Sequence, residues 1–270
     1  MIPNFFAFAG VATLIFYWWE LYNQFPAGQI IQLDLKVVSL ALVGGILPAL
    51  LWLWFWLKED AKNPEPNRLI LLAFLGGMIA VPFTIPFEQA ALSFADSEFT
   101  VIILWSFIEE TIKYIAICLI ALNSKFCDEP IDMLIYLITG ALGFAALENS
   151  LYLMSSIVDG GIFAGAINTH LRFLGATLLH VVSSSAIGIA LAFSFYRKKK
   201  RTPYLLGGII AATTLHAVFN LFIIETQNIL ETLTVFSYYW FIVIILIFLF
   251  ERVKLLKRTI PKPQKKTPFY

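Results

Sequence analysis

The chain has 270 residues, 59% of them hydrophobic and only 14% charged, with a formal net charge of +1 and a mean hydropathy of +0.80. A soluble globular domain carries about 25% charged residues, so a water-facing fold is excluded and the chain reads as an integral membrane protein. The net charge says little about partners; the lipid bilayer is the expected surrounding, and no nucleic-acid partner is expected.

A spanning helix needs about 20 apolar residues, and eight such stretches follow in chain order, at about 4–23, 37–57, 68–87, 99–122, 132–155, 171–196, 203–224 and 233–251. The fold class is therefore all-α, a polytopic transmembrane helix bundle of about eight spanning helices. The first stretch lacks a basic start and a small-x-small cleavage site, so it reads as a retained helix. In the third, "TIPFEQAAL" leaves the end uncertain. No repeat, low-complexity tract or second domain is visible, and residues 1–270 read as one membrane domain. Its core is about 68–225, and a disordered, basic, cytoplasmic tail is expected at about 258–270. Cys118 lies in an apolar run and Cys127 near a polar loop, which points to neither a disulfide framework nor a thiolate metal cage.

Orientation follows from the basic residues. The turns at 58–68 and 123–130, the run "RKKKR" at 197–201 and the tail from Arg252 hold sixteen of the nineteen Lys and Arg. The alternate loops, around 24–36, 88–98, 156–170 and 225–232, are acidic, with Asp34, Glu88, Asp96, Glu98, Asp159, Glu225 and Glu231. The positive-inside rule then puts both termini in the cytoplasm, as an even number of helices requires.

Against this background some residues stand where hydrocarbon is expected. The fourth stretch carries Glu109, Glu110 and Lys113; the fifth, Glu148 and Asn149; the sixth, His180 followed by Ser183, Ser184 and Ser185; the seventh, His216 and Asn220. Each ionisable group costs a few kcal/mol at the bilayer centre, and such groups face a bundle interior and mark function. At about 1.5 Å per residue, Glu109 and His180 lie about 15 and 13 Å below the outer surface, and Glu148 and His216 about 24 and 20 Å above the inner one. Four helices of alternating direction thus deliver polar groups to one layer in the outer half of the membrane.

Glu109 and Lys113 are i,i+4 and Glu110 and Lys113 are i,i+3, so Lys113 neutralises one carboxylate and leaves the other free to act as a general base. His216 and Asn220 share a helix face and can donate to a developing oxyanion. The three serines read as helix-packing groups. His170, in a loop, has no assigned role. H-E-x-x-H, G-x-S-x-G and a mid-span aspartate pair are all absent from the sequence, which excludes zincin, serine-elbow and di-aspartyl sites.

Four motifs in order, "EETIK" at 109–113, "FAALEN" at 144–149, Arg172 with His180 eight residues on, and "HAVFN" at 216–220, resemble the PrsW family of intramembrane proteases. That family is related to the CAAX-prenyl-protease and bacteriocin-processing group. The acidic turn "KEDAKNPEP" is similar to a Pro-Glu-Pro loop of the family, and the resemblance covers roughly 50–225. It implies an intramembrane endopeptidase that cuts single-pass membrane-anchored substrates, such as anti-sigma factors, near the extracytoplasmic side, in a bacterial cytoplasmic membrane. By resemblance, Glu109 is the base and Glu110 is held by Lys113, although the two could be exchanged. His180 positions water and His216 and Asn220 stabilise the oxyanion. Glu148 lies beside them, and Asn149 and Arg172 are supporting residues.

The mechanism is open at this point between glutamic and metal-dependent: no cofactor, or Zn²⁺ held by Glu148, His180 and His216. Substrate identity and oligomeric state are also open. A proton-coupled transporter or channel using the same Glu/His cluster is the alternative, and an inactive scaffold a third reading.

Overall fold

The computed structural model describes residues 34–59 and 63–256; within them the side chains of 159–160, 162–174, 198 and 229 are not described. Seven helices fill this range, with no strand among the described residues. They are α1 (Leu35–Glu59), α2 (Asn67–Leu92), α3 (Glu98–Ile117), α4 (Asp132–Val158), α5 (Gly175–Ser194), α6 (Arg201–Glu225) and α7 (Ile229–Lys254). Six are long and apolar enough to cross a membrane. The seventh, α3, carries Glu109, Glu110 and Lys113 in place of apolar residues. The first expected helix, 4–23, and the tail at 258–270 lie outside the described residues.

The centre of the bundle is α4. Of its most apolar stretch 83% is buried, against 22% for α1 and 28% for each of α6 and α7. A helix that is apolar all round belongs inside, and every residue from Ile131 to Ala146 is buried. In lipid, helices associate by close packing rather than by the hydrophobic effect, and small residues permit that approach. On α2, a Cβ at Gly77 would stand 1.9 Å from the Gly140 carbonyl oxygen of α4. On α4, one at Gly143 would stand 1.9 Å from that of Phe74. The α1 helix lies against α4 at Gly45 and Ser150, and against α7 through Trp52–Trp240 and Trp56–Phe250, with ring centroids 5.9 and 5.4 Å apart.

Several boundaries differ from expectation. The segment 156–170, expected as a loop, is helical: α4 and α5 are the two spans of one helical run, Asp132–Ser194, broken at Gly161 (φ 78°, ψ 167°). Only glycine adopts that left-handed φ without strain. His170 is therefore in a helix. The polar residues that interrupt the hydropathy here do not interrupt helical hydrogen bonding. Similarly, α2 continues through Pro82 and Pro86 to Leu92, so Glu88 is in its last turns rather than in a loop.

At the basic end, the turn before α2 is tied to α4. Tyr136 donates its hydroxyl to Glu65, and Asn63 donates to Glu129 at 3.0 Å. Asp132 accepts from the backbone N–H groups of Asp128 and Glu129 at 2.8 and 2.7 Å. Burial raises the Glu65 carboxyl above its ordinary value, against the lowering effect of the Tyr136 hydrogen bond.

Candidate active site

Ser97 sets the phase of α3. Its side chain caps the helix by accepting from the Thr100 N–H at 3.2 Å. The buried stripe that follows is Ile102, Ser106, Glu109, Glu110, Lys113 and Ile117, a helical period. The charged face of α3 is thus its inward face. His180 and Ser184 follow at i,i+4 on α5, His216 comes from α6, and Phe144 and Glu148, also i,i+4, come from α4. The four helices meet at the layer inferred from depth.

The two adjacent glutamates are held differently. Glu110 is fully buried and saturated: Oε1 accepts from Lys113 Nζ at 2.6 Å and pairs with His216 Nδ1 at 2.8 Å, while Oε2 accepts from Ser184 Oγ at 2.7 Å. Glu109, only 8% exposed, lies 3.7 Å from Lys113 Nζ, and its buried Oε2 has no hydrogen-bond partner.

The network fixes the histidine tautomers. Lys113 has only donors, so His180 Nδ1, 3.0 Å from Nζ, accepts, and Nε2–H donates to Glu148 Oε2 at 2.6 Å. A carboxylate only accepts, so His216 Nδ1–H donates to Glu110. Its Nε2 then carries a lone pair and faces Glu109 Oε2 at 3.7 Å, too far for a hydrogen bond. Each histidine is oriented by a carboxylate on one nitrogen and presents the other inward. The rings are 5.3 Å apart, and Phe144 covers both Lys113 (4.4 Å to the ring centroid) and His180 (5.2 Å).

Glu109, His180 and His216 each offer a ligand atom, all within 4.8 Å of one another, and all three residues are buried. This is the compact donor set, and it contains Glu109 in the place expected for Glu148. The Glu148 side chain is 42% exposed and serves as His180's hydrogen-bond partner.

Asn149 donates to Thr177 at 3.2 Å, joining α4 to α5 beside the site. Asn220 is half-buried and makes no hydrogen bond to Glu109, Glu110, His180 or His216. The Arg172 side chain lies outside the described set. Ser184 and Thr177 were missed by sequence reasoning. For Ser184 the available signal was its i,i+4 relation to His180, which puts both on one face.

Comparison with known proteins shows the family of the chain. The family described as "PrsW family intramembrane metalloprotease" matches residues 65–250. The chain is 27% identical over 192 residues to Protease PrsW of Geobacillus kaustophilus, covering 68% of this chain and 80% of that one. It is 28% identical over 193 residues to Protease PrsW of Bacillus subtilis, covering 68% and 83%. No solved structure matches. The family match spans more than half the chain and includes every residue of the buried cluster, so the chain belongs to the PrsW family and is an intramembrane protease.

Proposed function

We propose that this chain hydrolyses a peptide bond of single-pass, membrane-anchored substrate proteins at the centre formed by Glu109, His180 and His216. One observation carries the reading: Glu109 Oε2, buried and without a hydrogen-bond partner, faces His216 Nε2 across a gap of 3.7 Å. Such a gap disfavours the protein alone and favours a proton, a water or a cation.

The residues fit a divalent metal. Histidines that bind zinc characteristically donate their other ring N–H to a carboxylate, as His180 does to Glu148 and His216 to Glu110. With Glu109 they would supply three protein ligands and leave a position open. Three carboxylates with one ammonium are also short of positive charge, and a divalent ion would balance Glu109, Glu110, Glu148 and Lys113. Zinc, when bound, supplies Lewis-acid polarisation and lowers the pKa of bound water. The chain's own residues do the rest. Glu109 would give one carboxylate oxygen to the ion and take a proton from the attacking water on the other, Glu148 and Glu110 fix the histidine rings, and Phe144 helps to exclude bulk water. Lys113 holds Glu110 ionised and in place.

One observation favours the metal-free reading: the Lys113 ammonium already stands 3.0 Å from His180 Nδ1. A water between Glu109 and His216, with Glu109 as general base, then suffices.

The topology reading places both termini in the cytoplasm of a bacterial cell and the site in the outer half of the membrane. Cleavage then falls near the substrate's extracytoplasmic boundary, which suits substrates such as anti-sigma factors. The test is purified protein in vesicles with single-pass substrates, with and without chelator, together with elemental analysis of the protein. About one zinc per chain in the wild type, lost in His216→Ala, with chelator-sensitive cleavage, is the expected result. Chelator-resistant cleavage by metal-free protein would overturn the metal reading. Wild-type cleavage by Glu109→Gln would overturn the site.

A further inference from the structure

Toward the basic end of the bundle from the site, α5 and α6, with Leu249 of α7, line an open apolar trough of about 570 Å³. Its walls are built of small residues, Ala186 and Ala190 on α5 and Gly207, Gly208 and Ala211 on α6, with Leu249 of α7 at one side. Phe193, Pro203 and Tyr204 form its mouth. The two glycines do different work. A Cβ at Gly208 would press on Ala190 at 2.9 Å, so Gly208 lets α5 and α6 touch. A Cβ at Gly207 would meet nothing within 4 Å, so Gly207 serves no packing contact and leaves the trough open.

The mouth is strongly cationic. The turn joining α5 to α6 is Arg197 to Arg201, and Arg252 follows Leu249 on α7 by three residues. Arg197, Lys199, Lys200 and Arg252 are exposed. Among the described residues none of these, nor Arg201, lies within ion-pair distance of a carboxylate. Of the acids at this end, Glu251 and Glu59 pair with Lys254, at 2.7 and 3.4 Å, and Glu65, Glu129 and Asp132 are bonded to Tyr136, Asn63 and backbone N–H groups, so that the five basic residues are opposed by the exposed Asp128. A run of cations that served only to orient the chain would not need an apolar trough beneath it.

We propose that this trough is a binding site for an anionic phospholipid, one acyl chain lying between α5 and α6 and the phosphate at Arg197, Lys199 and Lys200. Length and charge both fit. From Pro203 to Ala211 the wall runs about 12 Å along the helix axis, close to the roughly 15 Å hydrocarbon depth of one leaflet. Basic pockets between transmembrane helices are the setting in which anionic headgroups bind. A second transmembrane helix could use the same small residues, but it would leave the cations unmatched. The inference is independent of the proteolytic reading.

Native mass spectrometry of the full chain, mixed with equal amounts of phosphatidylglycerol and phosphatidylcholine, tests it. The wild type should retain phosphatidylglycerol roughly fivefold or more over phosphatidylcholine, each surface lysine contributing on that order. The Lys199→Gln/Lys200→Gln double variant should lose the preference while still retaining lipid. Gly207→Leu, whose Cβ meets no neighbour within 4 Å and whose side chain would occupy the trough, should lose retention of both lipids. Ala211→Leu on the same wall is the second variant should Gly207→Leu fold poorly. Equal retention of the two lipids by the wild type would overturn the site. So would wild-type retention in both trough-filling variants, or a wild-type dimer that Gly207→Leu dissociates, which would assign the trough to a helix.

Discussion

Glu109 and Glu110 are adjacent in the chain, yet they have different chemistry. Glu110 receives Lys113, His216 and Ser184, which take three of the about four acceptor sites of a carboxylate and leave it far less available to a substrate or water than Glu109. Replacing it with Gln removes the nearest anion from the buried Lys113 ammonium, leaving Glu109 at 3.7 Å, a loss of up to about 3–5 kcal/mol. Thermal unfolding of Glu110→Gln should therefore be markedly destabilised. Glu109→Gln should unfold near wild type and lose activity by about 10²–10⁴. The reverse pattern would exchange the two roles. Ser184→Ala should cost about 1.5–3 kcal/mol, the value of a hydrogen bond to a charged group, by the same unfolding measurement.

These contrasts also show what was legible. A carboxylate or imidazole in a spanning segment is costly enough to stand out, so Glu109, Glu110, Lys113, Glu148, His180 and His216 were all visible. A serine costs little in a membrane helix because it can bond its own backbone, as Ser185 does to the Val182 carbonyl. Ser184 was therefore indistinguishable from its neighbours until its partner was seen. That Glu109, rather than Glu148, stands within 4.8 Å of ligand atoms of both histidines was equally hidden, because depth along a helix does not give its rotation.

At the scale of elements, hydropathy located spans but not helix ends. Expected α3 limits of 99–122 match Glu98–Ile117 with the π turn Cys118–Leu122. The helical link between α4 and α5 was missed because polar residues there lower hydropathy without breaking a helix. The structure of the helix contacts rests on glycines whose requirements differ by position. Gly77→Ala and Gly143→Ala each drive a Cβ into a facing backbone oxygen, and each should destabilise the bundle by about 1–3 kcal/mol. Gly207→Ala meets open space and should be neutral or gain up to about 1 kcal/mol from helix propensity. Survival of folded protein in detergent on heating separates these cases.

For the molecule as a whole, the chemistry lies in a layer displaced along the helices from the basic end. The basic turns, the Glu65–Tyr136 tie and the cationic mouth of the α5–α6 trough gather at one end. The catalytic layer lies well along the helices from there, with His216 fifteen residues into α6. The half-exposed Glu148 marks where the buried layer opens, and through it His180 is linked to the surroundings. The central claim is that Glu109 is the group that acts on water. It is tested most directly by cleavage of a single-pass membrane substrate in reconstituted vesicles, comparing wild type with Glu109→Gln prepared to equal folded content. The account predicts cleavage by the wild type and a fall of at least about 10² in the variant. Cleavage by Glu109→Gln at the wild-type rate would contradict it.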